Sequence, residues 1–454
     1  MNLEAYQTIL DDISLDSDKN YLTLQLPIYG MDIDERKLFS HFGSELGSRY
    51  WFRSKEDAYN IVGIGYLESI RRDKYSASSL SKEKDALYDK IQKVRLEEGI
   101  PSRLSLFGGT RFDTKETTDE WNDFAMVEFH LPKWQFDLKN EVLFYTAGIS
   151  EVDLQTVLGD IVRELEAIEN AELKADGKPV INMEKDLFPD EWKALVDRTV
   201  DVLDETSFRK VVLARQRLIT FKSSADPLFL LERLDNEKGT YTIYYEKGKS
   251  AFISKSPEKL FDIKGDKLRT NAIAGSAKRI HDSEQDELQK SFLLNDEKNR
   301  YEHEVVRESI VHDLKPYSDW VEYDPKPGIL ENKYIYHLHT AIKATLNDDT
   351  DVFDLLDAIH PTPAVGGLPK KTARDYIMEE EYGTRGLYAA PVGIIHEDND
   401  SEFVVSIRSM LIQANSATLF AGCGIVKGSS SEKEYEETQV KFTPMLNVLE
   451  ANDE

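Results

Sequence analysis

The stretch Ala421–Lys441, AGCGIVKGSSSEKEYEETQVK, runs from a glycine-punctuated strand through a serine-rich turn into a helix that aligns Glu434, Glu437 and Lys441. Spacings of three and four put these side chains on one helical face. Carboxylates beside backbone N–H groups suit an anionic substrate held with a hard divalent cation such as Mg2+, which takes one or two carboxylates plus water and substrate oxygens. The same residues also fit a capping box, Ser431 with Glu434, and an i,i+4 surface pair, Glu437 with Lys441.

A second carboxylate cluster lies in Asn299–Glu308, NRYEHEVVRE, where helical spacing groups Arg300, Glu304 and Glu308. Joined with Glu437, it supplies a two-carboxylate site from two distant helices. A salt-bridged solvent face is the competing reading. Lys210 opens an apolar strand, KVVLAR, on a face shared with Val212 and Ala214. In a cavity, desolvation lowers its pKa and makes it a candidate base; on an edge it is a snorkelling lysine. Glu258, in KSPEKL, sits between two strands, where burial would raise its pKa and suit it to acid catalysis.

The elements that must position these groups are of mixed type. Helical patterns are expected around Lys82–Glu98, from Asp153 to Leu173, and through Asn299 to Leu314. Strands are expected at 210–215, 241–245, 251–254, 268–273, 334–339, 387–395, 402–413 and 417–425. The Gly pair in Leu106–Phe112, LFGGTRF, suggests a bulge or a close backbone approach. Meander-like runs of strands with inserted helices favour antiparallel α+β over a doubly wound fold.

Composition narrows the function. The chain has 454 residues, 40% of them hydrophobic, and a net charge of −27. Nucleic-acid binding is disfavoured, and any anion site must be locally positive. The single cysteine, Cys423, excludes an intramolecular disulfide and a thiolate cluster. The N-terminus is acidic, and no run approaches the roughly 18 apolar residues of a membrane span. A cytoplasmic, soluble protein is expected.

The motifs KVVLAR, SPEKLF, IAGSAKR, YEHE, the HL of YHLHT, HPTPAVGGLP, IRS and AGCGIV…EYEET…K follow the order seen in chorismate-utilising enzymes. The chain resembles their isochorismate synthases of the menaquinone or siderophore type, densely over 207–449 and more sparsely over 1–180. That resemblance implies one α+β domain spanning 1–454, with two packed antiparallel sheets and outer helices. It rejects a domain boundary at Gly177, despite the linker-like segment 175–179.

The resemblance also implies roles. Lys210 activates the water that attacks C2 of chorismate, and Glu258 protonates the departing C4 hydroxyl. Glu304 and Glu437 hold Mg2+, with Glu434 acting through water. Arg408, Lys441, Gly424 and Ile425 clamp substrate carboxylates. Gly275 and Ser276 form the turn over the substrate, His337 stands beside the ring, and His360 positions its loop. Ala274 replaces the lysine of aminodeoxychorismate synthases, and the presence of Lys210 argues against an anthranilate synthase with a glutaminase partner. A salicylate synthase, which adds pyruvate elimination, is the alternative within the family. A catalytically inert carboxylate-binding protein of the same fold is the alternative outside enzymes. The oligomeric state is left open.

Overall fold

A computed structural model describes residues 3–56, 58–113, 119–173, 177–205, 208–235, 239–331 and 335–449. The start of the motif-dense stretch at Ser207, the linker residues Ala175 and Asp176, and the strand start at Tyr334 lie outside these residues.

The fold is α+β. Strands from both halves of the chain interleave in a large antiparallel array with helices packed against it. Tyr21–Pro27 with Ile91–Arg95 is a parallel pair. Arg49–Arg53, from the first third, pairs with Tyr241–Lys247, and Ser105–Thr110 pairs with Pro391–His396. These ladders join strands from before and after Gly177. Two large apolar cores flank the strands, one around Phe107, Phe129, Leu213 and Phe403, the other around Leu24, Trp51, Ile219 and Phe442. Alternating side chains supply the two cores from opposite faces, as along Arg49–Arg53, where Tyr50 and Phe52 enter the first core and Trp51 the second.

The Gly108–Gly109 pair is explained by close packing. A Cβ on Gly108 would lie 1.9 Å from the Glu128 carbonyl oxygen, and one on Gly109 would lie 2.3 Å from that of Pro391. Both neighbouring strands pair across these residues in continuous register. Close backbone approach is therefore the reason for the glycines, and no bulge is needed.

Several boundaries differ from the sequence expectation. The helix expected over 82–98 is Ala77–Asp89 followed by the strand Ile91–Arg95, and that over 153–173 is shortened to Val157–Glu169. The expected strand 402–413 is broken into Ser401–Val405 and Ser409–Gln413. At the break Arg408 has φ 51°, a left-handed conformation that ends a regular strand.

Candidate active site

The strand Lys210–Phe221 runs antiparallel to Ser416–Ile425, with Val212 opposite Gly424 and Val211 opposite Ile425. Lys210, at the start of its strand, extends its side chain over Gly424: a Cβ there would stand 2.8 Å from Lys210 Cε and 3.4 Å from Nζ. The HPTPAVGG loop supports the other edge. Its Gly366 oxygen accepts from Val212 N–H at 2.8 Å, and its Gly367 pairs with Val211. Gly367 has φ +144°, and a Cβ would meet the Lys210 carbonyl oxygen at 2.2 Å, so the loop can lie this close only as glycine.

Burial pushes the Lys210 ammonium below the ordinary lysine range, and the like charge of Lys441 adds to this against the carboxylates of Glu302, Glu258 and Glu437. Glu258 shifts the opposite way. Burial raises it to about 7, against the positive charges of Arg408, Lys210 and Lys441. Its backbone is fixed at both ends: Glu258 N–H donates to Ser256 Oγ at 3.2 Å, and its carbonyl accepts from Val405 N–H at 3.1 Å. An amine biased towards neutrality and a carboxyl biased towards protonation thus stand close enough to act on each other. Opposed shifts of this kind are what acid–base chemistry at neutral pH requires.

Arg408 has a left-handed backbone, and its carbonyl accepts from Lys255 N–H at 3.0 Å. Burial lowers its pKa, and Tyr388, Glu258 and Glu437 are the groups that act against this. Tyr388 itself stacks on Phe420 and is pushed up to about 12, first by burial. A Cβ on Gly422 would come within 2.8 Å of its hydroxyl. The guanidinium and phenol offer an anion a charged fork and a neutral donor.

The strand Lys267–Lys278 carries a bulge between Ala274 and Ser276 in its pairing with Ile335–Leu346. Gly275, at φ +74°, is the bulged residue and packs on Asn299. The bulge brings Ser276 Oγ to 2.8 Å from His337 Nδ1. Burial, together with the charges of Arg408 and Lys441, takes His337 down to about 4 against a hydrogen bond with the Gly275 backbone, so the ring is neutral at neutral pH. His360 lies apart from this network. It bonds the Ala389 carbonyl oxygen through Nε2 at 2.8 Å, packs edge-on to Phe112, and anchors its loop next to Tyr388.

The helix Ser431–Leu449 supplies the remaining groups. Lys441 Nζ donates to the Gly422 carbonyl oxygen at 2.9 Å and to Glu437 Oε1 at 2.6 Å. Glu434 is raised by burial and by the nearby charge of Glu437.

One expected residue lies elsewhere. Glu304 is on the solvent face of the helix Glu297–Leu314, its side chain 55% exposed and paired with Arg307 at 3.3 Å. The buried stripe of that helix is His303, Val306, Arg307, Ile310, Val311 and Leu314. Glu302 flanks this stripe, and its carboxylate acts on Lys210. Helical phase separates Glu304 from Glu302: the charged spacing 300–304–308 marks the outer face, and the apolar spacing 306–310–314 marks the inner one. That apolar spacing was the signal available in the sequence. Tyr388 had no comparable signal.

Carboxylates from two helices thus act around Lys210, Glu302 from one and Glu437 from the other, with Glu434 beside Glu437. Among the described residues no three His, Cys, Asp or Glu side chains stand gathered as a metal shell. Carboxylates close enough that the charge of Glu437 helps to raise Glu434 would suit a hard divalent cation that draws its other oxygens from water and substrate. Among the described residues no helix is long and apolar enough to cross a membrane.

A family model described as chorismate binding enzyme matches residues 8–450. The chain is 32% identical over 426 residues to isochorismate synthase MenF of Bacillus subtilis (strain 168), covering 90% of each. It is 30% identical over 430 residues to the chloroplastic isochorismate synthase 2 of Arabidopsis thaliana, covering 91% of this chain and 74% of that protein. Among solved structures, MenF, the menaquinone-specific isochorismate synthase from Escherichia coli, superposes with a TM-score of 0.79 at 24% identity, covering 99% of both chains. Anthranilate synthase component I from Streptococcus pneumoniae TIGR4 superposes with a TM-score of 0.66 at 21% identity, covering 95% of this chain and 93% of that one. At these identities the two structures show a common fold.

Proposed function

This chain belongs to the chorismate-binding enzyme family, and from that membership we propose how its residues work as an isochorismate synthase, the isomerase that interconverts chorismate and isochorismate for menaquinone or siderophore synthesis. The observation that carries the reading is the opposed pair Lys210 and Glu258: burial lowers the one and raises the other to about 7.

Lys210, as the free amine, takes a proton from a water molecule while that water's oxygen bonds to C2 of chorismate. The ring double bonds shift, the C4–O bond breaks, and Glu258 gives its proton to the departing hydroxyl, which leaves as water. Both groups are needed because water is a weak nucleophile and hydroxide a poor leaving group. Run backwards, Glu258 is the base and Lys210 the acid, so the one pair serves both directions.

Arg408, assisted by Tyr388, holds one substrate carboxylate. Lys441 and the backbone of Gly424 and Ile425 hold the other, and the Gly275–Ser276 bulge and neutral His337 close over the ring. Glu302 and Glu437 would hold Mg2+, with Glu434 acting through water, and the ion would neutralise and orient the ring carboxylate. The two halves, 1–180 and 207–449, act as one domain over 1–454, the second carrying the chemistry. A cytoplasmic location, chorismate as the small-molecule partner, and the absence of nucleic-acid, membrane and glutaminase partners belong to the same reading.

The test is to incubate the protein with chorismate, with and without Mg2+, following isochorismate by NMR and pyruvate by a coupled assay. Isochorismate without pyruvate, appearing only with Mg2+, is expected. Stoichiometric pyruvate with salicylate would move the assignment to a salicylate synthase, and no turnover would leave a carboxylate-binding protein.

A further inference from the structure

Arg215 lies five residues beyond Lys210 on the same strand, and strand alternation puts the two side chains on opposite faces. Its guanidinium is buried and stacks on two aromatic rings of the Ser431–Leu449 helix, 3.9 Å from the centre of Tyr435 and 4.8 Å from that of Phe442. Its Nε donates to Thr438 Oγ1 at 2.7 Å, and that hydroxyl donates to the Tyr435 carbonyl oxygen at 2.7 Å. Asp186, on the neighbouring strand, lies 3.2 Å from Arg215 Nη1, accepts from Arg217 Nε at 2.6 Å and from Gln439 Nε2 at 3.1 Å, and is bonded by the Tyr435 hydroxyl.

Tyr435, Thr438, Gln439 and Phe442 are thus fastened to the sheet as a block. Tyr435 directly follows Glu434, and Thr438 directly follows Glu437. In a helix a one-residue step turns the side chain by about 100°, so fixing residues 435 and 438 fixes where 434 and 437 project. The strand that carries Lys210 also carries the arginine that sets this helix.

We infer that Arg215, acting through Thr438, is a positioning residue for the Glu434 and Glu437 carboxylates, setting their place relative to Lys210 and so the affinity of the metal they hold. This rests on the metal reading given above. A group that orients a ligand from behind changes metal affinity by about ten- to a hundredfold when removed.

Mn2+ is the probe, titrated into the full chain and followed by electron paramagnetic resonance with and without chorismate, so that binding is read without turnover. Thr438→Val keeps the volume and removes the hydroxyl. Thr438→Ser keeps the hydroxyl. Arg215→Met keeps the stacking stem and leaves Asp186 paired with Arg217. Thr438→Val and Arg215→Met are expected to weaken Mn2+ binding about tenfold or more, with Thr438→Ser close to the parent and all three folded by circular dichroism. Parent-like Mn2+ affinity in Thr438→Val would overturn the inference while leaving the metal reading intact. No Mn2+ binding by the parent, even with chorismate, would remove the metal reading and this inference with it. If Thr438→Val fails to fold, Arg215→Met decides by the same criterion.

Discussion

Lys210 lies directly over Gly424, its Cε 2.8 Å from where a Cβ would be. The glycine is opposite Val212 in the ladder, one register position from the strand end, and its missing side chain makes room for the amine. Gly424→Ala is therefore expected to displace Lys210 without removing it. A shift of roughly 1 Å at a reacting group costs about a hundredfold in rate, so kcat should fall by about that factor while substrate binding changes less. Steady-state kinetics with a chorismate binding isotherm would check this, and an alanine variant with parental kcat would show that the amine tolerates displacement.

Removing the amine altogether should be more severe. Lys210→Ala is expected to lose about a thousandfold or more in kcat, at the upper part of the range for a positioned general base, and to keep chorismate binding because Arg408 and Lys441 remain. Calorimetric titration beside single-turnover rates would separate the two effects.

The pH profile follows from the opposed pair. The active form needs Lys210 neutral and Glu258 protonated, yet Glu258 titrates near 7 and Lys210, although lowered, is a lysine. Where the acid has the lower pKa, the active fraction rises with pH up to that lower value, levels off, then falls above the higher one. The logarithm of kcat/KM should therefore rise below an apparent pKa near 7, level off, and fall through a second value below the usual lysine range. Both belong to the coupled pair. In Glu258→Gln the inflection near 7 should vanish from the residual activity; its persistence would assign it to another group.

Glu302 and Glu304 differ by two residues and by helix face, so they should part company in a metal titration. Glu302→Gln is expected to raise the Mg2+ concentration needed for half-maximal activity. Glu304→Gln takes an exposed carboxylate away from the buried Arg307 guanidinium, and should leave the Mg2+ requirement unchanged. The reverse pattern would restore Glu304 to the metal.

Asp186 offers a stability test. Burial acts to raise its pKa, but hydrogen bonds from Arg217 and Tyr435 and the charges of Arg215 and Arg217 prevail and hold it at about 2. A folded-state value below the unfolded one stabilises the fold above the ordinary aspartate range, and that stabilisation fades as pH falls through 4 towards 2. Its size is on the order of 2 kcal/mol at neutral pH. Asp186→Asn should lower the urea midpoint at pH 7, and the gap from the parent should narrow below pH 4. A constant gap would mean that lost packing, rather than charge, is responsible.

Much of this site was legible in the sequence because its parts lie on regular elements. KVVLAR gave a strand with Lys210 on the face shared by Val212, and EYEETQVK gave a helix edge carrying Glu434, Glu437 and Lys441. What escaped depended on tertiary packing. Glu304 was chosen over Glu302 by charge spacing, whereas the inner face is decided by where Val306 and Ile310 pack. The strand break at Arg408, where φ is 51°, has no glycine or proline to mark it. Tyr388 and Asp186 reach their partners across long sequence separations that no local pattern records.

The central claim, that Lys210 drives water onto C2 while Glu258 expels the C4 hydroxyl, is tested most directly in 18O-enriched water. Chorismate should give isochorismate carrying one heavy oxygen at C2 at early times, before the reverse reaction spreads label to C4. Unlabelled isochorismate formed at the full rate would show that the hydroxyl migrates within the substrate, and would contradict the account.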